Sequence, residues 1–107
     1  METRFPEESQ AMTLIEKPSH PGEVLVELYL EPLNMPANAL AKRLNVSRTR
    51  IERLVKGETA LTVDTAMRLS KFFGNTAEFW VNLQRAHDLA RARKTADLSD
   101  ITPLEAA

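Results

Sequence analysis

The sequence predicts an all-α protein: a compact domain of five short helices, with a flexible arm before it and a tail after it. In five successive segments apolar residues recur three and four positions apart, the spacing that places them on one face of a helix. No segment shows the alternation of apolar and polar residues that a half-buried strand needs. The length of 107 residues suits a single domain. We expect the arm at residues 1–19, the domain at 20–95 and the tail at 96–107.

The first helix is expected to begin at Pro21, because proline fits the first helical position, where its missing N–H is not needed. It should end near Leu30, since the residue before Pro32 is biased away from helical backbone. The second helix is expected to begin near Pro36 and to end before Asn45, a residue type that tolerates left-handed backbone.

Ser47, Thr62 and Thr76 are expected to cap the third, fourth and fifth helices, with Asn75 as the alternative to Thr76. Their side-chain oxygens accept hydrogen bonds from the free N–H groups of a first helical turn. Gly57 is expected to end the third helix in the left-handed conformation, and Gly74 the fourth.

Charge is unevenly distributed along the chain, although its net value is only −1. Residues 42–56 hold six cations and one acid, Glu52, whereas residues 1–31 hold seven acids and two cations. A net charge near zero argues against a protein that coats nucleic acid indiscriminately, so the local cationic stretch is the informative feature.

This cationic stretch coincides with the second and third predicted helices, which a short turn joins. Ala41 is small where the two helices must approach, and Val46 fills the angle between them. The third helix turns Ile51 and Leu54 inward, and its outward positions are Arg48, Thr49, Arg50, Glu52 and Arg53. Because the major groove of DNA accepts one helix, the pattern predicts a helix-turn-helix in which residues 47–55 read bases.

Two consecutive stretches carry a family signature: LAKRLNVSRTRIERLVKG (40–57) and LTVDTAMRLSKFFG (61–74). They resemble the lambda-repressor-like, or XRE-type, helix-turn-helix family. HPGEVL (20–25) before them and AEFWVNLQ (77–84) after them narrow the resemblance to the HigA antitoxins. The resemblance implies a five-helix homodimer that binds a palindromic operator in double-stranded DNA, neutralises a HigB-type ribonuclease toxin and represses its own operon.

The resemblance also implies roles for single residues. Arg48, Thr49 and Arg53 match base-reading positions, where an arginine can bond O6 and N7 of guanine together. Four residues match positions that contact the DNA backbone: Asn38, Ser47, Arg50 and Lys56. The chain departs from the family at Ala37, where a phosphate-binding glutamine is common, and at Pro36, where a serine cap is usual.

Three acids on the first helix are a candidate toxin-binding surface. Glu23, Glu27 and Glu31 are spaced four residues apart, and an acidic face speeds encounter with a basic ribonuclease. The alternative is a face that only favours solubility.

The fifth helix is the candidate dimer contact, because its apolar stripe continues to Ala90, further than a four-helix core requires. The residues assigned to this contact are Trp80, Leu83 and His87. The tail carries Leu98, Ile101 and Leu104, which fit packing on a partner or on the protein's own core.

No enzyme, cofactor or metal is expected. The sequence suggests no Ser, His and acid set, no paired carboxylates and no glycine-rich phosphate loop. His20 and His87 lack His or carboxylate neighbours at metal-ligand spacing. With no secretion signal and no apolar run of about 20 residues, we expect a cytoplasmic protein that does not bind membranes.

Two alternatives to the antitoxin remain open at this point. One is a stand-alone repressor with the same fold and no toxin. The other is a protein-interaction module whose basic helix docks on an acidic partner and does not bind DNA.

Overall fold

The computed structural model describes residues 18–105, and this part of the chain contains five helices and no strand. The first, α1, runs from Pro21–Leu25 through a π-helical turn, Val26–Leu30, to Glu31–Leu33. The others are α2 (Ala37–Leu44), α3 (Arg48–Val55), α4 (Val63–Phe73) and α5 (Ala77–Thr95). The predicted all-α class is confirmed. Almost all of the predicted N-terminal arm lies outside the described residues.

α1 is longer than predicted. We expected Pro32 to end this helix near Leu30, but helical backbone continues to Leu33 and ends at the next residue, whose φ is 53°. The continuation passes through the π-helical turn, in which the N–H of Glu31 bonds to the carbonyl of Val26. A wider turn ahead of a proline displaces the carbonyl with which its ring would otherwise clash, so the proline is tolerated inside the helix.

The other helix ends follow the predicted local signals. His20 caps α1, since its Nδ1 accepts a hydrogen bond from the N–H of Gly22 at 2.9 Å. Pro36 precedes α2 and supplies no side-chain cap. The side chains that cap α3, α4 and α5 are Ser47, Thr62 and Thr76, and the left-handed residues that end α2, α3 and α4 are Asn45, Gly57 and Gly74.

One apolar core joins the five helices. α1 packs against α3 and α5, α2 against α3 and α4, and α4 against α5. The largest completely buried aliphatic and aromatic side chains are Leu25, Leu40, Ile51, Leu69 and Trp80. Trp80 Nε1 donates to Asn75 Oδ1 at 2.9 Å, and Asn75 Nδ2 donates to the Tyr29 hydroxyl at 3.1 Å. The indole N–H therefore keeps a hydrogen-bond partner inside the core.

α3 is fixed at its C-terminal end by two other helices. A Cβ on Gly22 of α1 would collide with the carbonyl of Leu54 and lie 3.0 Å from the Cα of Val55, so only glycine allows this approach. The loop that leaves α3 is held by α5, because the N–H of Leu61 donates to Gln84 Oε1 at 2.7 Å. Both contacts limit how far α3 can move relative to the body.

Candidate nucleic-acid interface

The turn between α2 and α3 sets the direction in which α3 leaves the body. Asn45 ends α2 with a φ of 58°, and the N–H of Val46 bonds back to the carbonyl of Ala41 at 3.0 Å. Ser47 Oγ then accepts a hydrogen bond from the N–H of Arg50 at 3.2 Å, which starts α3. This is a helix C-terminus closed by a left-handed residue and followed at once by an N-cap.

The inner and outer sides of α3 differ sharply. On the inner side Ile51 is 0% and Leu54 2% exposed. On the outer side the three predicted base-reading residues are exposed: Arg48, Thr49 and Arg53. The geometry therefore presents them to solvent from a helix whose opposite side is packed into the core.

Glu52 forms an ion pair with Arg48, the first residue of α3. Arg48 Nε lies 2.9 Å from Glu52 Oε1, and the arginine side chain still keeps 70% of its exposure. An exposed pair four residues apart on a helix contributes only about 0.3–0.5 kcal/mol to stability. Its main effect is to limit the positions that the guanidinium samples.

The four predicted backbone-contacting residues fall into two groups. Asn38, Ser47 and Lys56 are exposed, at the N-terminal end of α2 and at the two ends of α3. Arg50 differs, because its guanidinium already has partners within the chain. A depression of about 360 Å³ lies beside α3, and the loop after α3 and the start of α4 form its far wall. On the α3 side it is lined by Ser47, Thr49, Arg50 and Arg53.

Arg50 is part of a polar clip that joins three helices. Its Nη2 donates to Asp64 Oδ2 at 2.6 Å and to Thr65 Oγ1 at 2.8 Å. Arg68 Nε donates to the same Asp64 oxygen at 2.9 Å, and Arg68 Nη1 donates to the carbonyl of Leu44 at 2.9 Å. The clip ties the C-terminal end of α2 and the start of α3 to α4.

Asp64 is the centre of this polar clip. Hydrogen bonds from the Arg50 and Arg68 guanidinium groups lower the pKa of its carboxyl group below the ordinary 3.8. The carboxylate therefore stays charged, and the clip intact, through the neutral range. Asp64 and Arg68 are not among the predicted site residues. Their spacing of four residues on one helix was a signal for their ion pair, but nothing local pointed to Arg50 as the third member.

The candidate toxin-binding residues Glu23, Glu27 and Glu31 are all exposed on α1. The π-helical turn Val26–Leu30 lies between the first and the last of these three acids. The three side chains therefore do not follow the regular α-helical spacing that the prediction assumed.

The residues assigned to the dimer contact require a correction. Trp80 is 0% and Leu83 3% exposed within one copy, so a second copy cannot cover them further. They are core residues, and aromatic and aliphatic periodicity alone did not separate a core from an interface. His87 is half-buried, with its ring 5.1 Å from that of His20 and its Nδ1 3.4 Å from the carbonyl oxygen of Pro18.

Within the described part of the chain, His, Asp and Glu side chains form no cluster of three or more that is able to hold a metal ion. Among the same residues no helix has both the length and the apolar character needed to cross a bilayer.

Residues 26–80 match the helix-turn-helix family. Virulence-associated protein I of Dichelobacter nodosus is 48% identical over 75 residues, which cover 70% of this chain and 69% of that protein. A HigA-family addiction module antidote protein from Coxiella burnetii has a TM-score of 0.77 at 43% identity, over 81% of this chain and 98% of the other. The Pseudomonas aeruginosa antitoxin HigA, solved with the higBA promoter, has a TM-score of 0.75 at 34% identity, over 82% and 99% of the two chains. The chain thus belongs to the XRE-type helix-turn-helix family, and HigA antitoxins are among its relatives.

Proposed function

We propose that this protein is a sequence-specific DNA-binding antitoxin, which neutralises a HigB-type ribonuclease and represses its own operon. The observation that carries the proposal is the outer face of α3. It exposes Arg48, Thr49 and Arg53, while Ile51 and Leu54 fix the same helix from below. The similar HigA structure that contains promoter DNA supports DNA as the partner of this face.

The dimensions and chemistry of α3 suit the major groove. A helix with its side chains is about 10–12 Å across, which fits the groove width of about 12 Å, and the eight residues of α3 make a rod about 12 Å long that can lie in the groove. Arg48 and Arg53 supply the paired donors that guanine accepts, and the Thr49 methyl suits contact with thymine. The Arg48–Glu52 pair orients one guanidinium in advance, which reduces the entropy lost when DNA binds.

Two exposed side chains and one helix N-terminus beside α3 extend the proposed footprint to the DNA phosphates. Asn38 and Lys56 are exposed beside α3, and the N–H groups at the start of α2 have no side-chain cap from Pro36. Uncapped N–H groups at a helix N-terminus favour an anion such as phosphate. A phosphate bound by these N–H groups would replace the contact that a glutamine commonly makes at position 37 in the family.

The proposed assembly is a homodimer on a palindromic operator. In helix-turn-helix dimers the two recognition helices lie about 34 Å apart, one turn of the double helix. The toxin is proposed to meet the acidic residues of α1, Glu23, Glu27 and Glu31, because complementary charge steers association with a basic ribonuclease.

DNA binding is tested by footprinting the full chain on the DNA upstream of its own gene. We expect a protected palindrome, and we expect the double variant Arg48→Ala/Arg53→Ala to lose it. Lys71→Ala is the matched control, since it removes an exposed cation from α4 and should leave the footprint unchanged. A wild-type chain that protects no palindrome there would overturn the proposal and favour the protein-interaction module.

Toxin binding is tested separately, by co-expression with the product of the neighbouring open reading frame. We expect the wild-type chain to relieve growth arrest by this product and to co-purify with it. The triple variant Glu23→Lys/Glu27→Lys/Glu31→Lys should do neither, while it still protects the operator. A footprint without any co-purifying ribonuclease would identify a stand-alone repressor instead.

A further inference from the structure

The distal half of α5 and the tail expose apolar side chains that one copy of the chain leaves uncovered. Between residues 84 and 105 none is buried. Leu89 is 45%, Leu98 65%, Ile101 64% and Leu104 98% exposed. Large aliphatic side chains that stay exposed along one stretch of a small domain are candidates for contact with another molecule.

A groove lies beside this end of the molecule, between α5 and the start of α4. Its apolar lining consists of Leu61, Val63, Val81, Leu89 and Ala92, and its polar rim of Gln84, Arg85 and Asp88. Val63 is 62% exposed in this groove. The tail is exposed throughout residues 96–105, so it does not fill the groove of its own chain.

The tail has a defined local conformation. The N–H of Ile101 bonds to the carbonyl of Leu98 at 3.0 Å, which closes a turn. Asp97 Oδ1 accepts hydrogen bonds from the N–H of Ser99 at 3.1 Å and from its hydroxyl at 2.6 Å. A β-turn keeps its first and fourth Cα atoms within about 7 Å, so Leu98 and Ile101 form one apolar pair on this turn.

Charge on the tail and on α5 is complementary. The tail between residues 96 and 105 is purely acidic, with Asp97, Asp100 and Glu105. Residues 85–95 of α5 hold four cations against Asp88: Arg85, Arg91, Arg93 and Lys94. Within residues 18–105 none of the three tail acids forms an ion pair with any of these cations.

We propose that the occupant of this groove is the tail of a second copy, inserted reciprocally, so that two chains form a dimer by exchanging tails. The inference deepens the proposed function, on which it rests, by naming the homodimer contact. Two-fold symmetry makes each tail-in-groove contact twice. In one copy the chain leaves α5 with extended backbone at Ala96, where ψ is 129°, and residues 96–105 stay exposed rather than folded onto their own groove.

The first test is sedimentation equilibrium of the full chain without DNA or toxin. We expect a wild-type dimer, and we expect Leu98→Asp/Ile101→Asp to raise its dissociation constant at least tenfold. Met67→Asp is the matched control, because Met67 is 59% exposed and does not line the groove. A monomeric wild type, or a tail variant that dimerises as the wild type does, would overturn the inference.

The second test separates exchange between copies from folding back within one copy. The groove variant Leu89→Asp keeps an intact tail, and the tail variant keeps an intact groove. A mixture of the two should associate at least tenfold more tightly than either alone, because the mixed dimer regains one complete contact. Folding back would instead make the mixture behave as the sum of its parts, which contradicts the proposal.

This result is independent of DNA binding. If the chain dimerises through its tails but protects no operator, only the proposed function fails. If it protects an operator while the tail variants dimerise normally, only the exchange fails.

Discussion

α3 and the distal half of α5 are both exposed helical surfaces, but they differ in support and in chemistry. α3 has a buried inner side, a glycine contact beneath its last turn and a polar clip at its start. Past Leu83 α5 has no buried residue, and it exposes apolar side chains with cations between them. Exposure alone therefore does not indicate the partner. A rigid polar surface suits reading a preformed groove, whereas an unsupported apolar surface suits another copy of the protein.

The largest expected difference between the two surfaces is in stability. Ile51→Ala should lower the free energy of unfolding by about 4 kcal/mol, because it leaves a cavity under α3. Leu89→Ala on α5 should change the stability of the monomer by no more than about 0.5 kcal/mol, since this side chain is 45% exposed. Urea denaturation at a concentration where the chain is monomeric measures both. Equal losses would show that α5 is supported as firmly as α3.

Gly22→Ala should separate α1 from α3 and cost about 3 kcal/mol, because the new methyl group meets backbone rather than a movable side chain. The matched control is Gly74→Ala, where nothing lies within 4 Å and only the positive φ of 79° is strained, at about 1 kcal/mol. Thermal unfolding of the two variants compares them. If Gly74→Ala were the more destabilising, the close approach of α1 to α3 would not be what holds α3.

Arg48→Ala should reduce discrimination between operator variants by about 1–3 kcal/mol at the base pair that Arg48 is proposed to read. Lys56→Ala should weaken binding to all sequences alike and flatten the dependence of log K on log salt by about one. Binding titrations on a panel of single-base operator variants at several salt concentrations separate the two effects. Identical sequence profiles for both variants would refute this division of roles on α3.

Arg50 is tested against its partner in the polar clip. If Arg50 turns to a phosphate when DNA binds, Arg50→Ala should flatten the salt dependence by about one, whereas Asp64→Asn, which keeps the cation, should not. If Arg50 acts only by positioning α3, both variants should weaken binding with the wild-type salt dependence. We expect the second result, because the guanidinium already donates one hydrogen bond to the Asp64 carboxylate and one to the Thr65 hydroxyl. A flatter slope for Arg50→Ala alone would contradict it.

The smallest expected effect concerns His20, which lies between the end of α3 and α5. Burial is the largest cause that lowers the pKa of His20 below 6.5, and the neighbouring His87 is the second. Arg91 also lowers this pKa, whereas a backbone hydrogen bond at Thr59 and the charge of Asp88 raise it. The fold favours neutral His20, so its contribution to stability is full above pH 6.5 and is lost as the pH falls through the lowered pKa. Urea midpoints at pH 7.5 and 5 should therefore differ less in His20→Asn, which keeps a capping side chain, than in the wild type. An unchanged difference would exclude His20 as a source of the pH dependence.

Much of the fold was predictable because its signals are local. Ser47, Thr62 and Gly57 act on helix ends within three residues of themselves, and the structure places each as expected. Pro32 was misread because a proline signal alone does not reveal that the turn before it has widened. Trp80 was assigned to a surface because periodicity identifies an apolar face without showing what covers it.

The sequence by itself determined where most helices begin and end, the end of α1 excepted, and which side of α3 is apolar and which residues it turns outward, since these depend on neighbours a few positions away. Only the tertiary structure decided that Arg50 is held by Asp64, that Arg68 reaches the end of α2, and that the tail lies uncovered. The first two features depend on how separate helices approach one another. Arg50 and Asp64 lie 14 positions apart along the chain, and Arg68 and Leu44 lie 24 positions apart. Local propensities do not encode such distances; the packing of the whole core does.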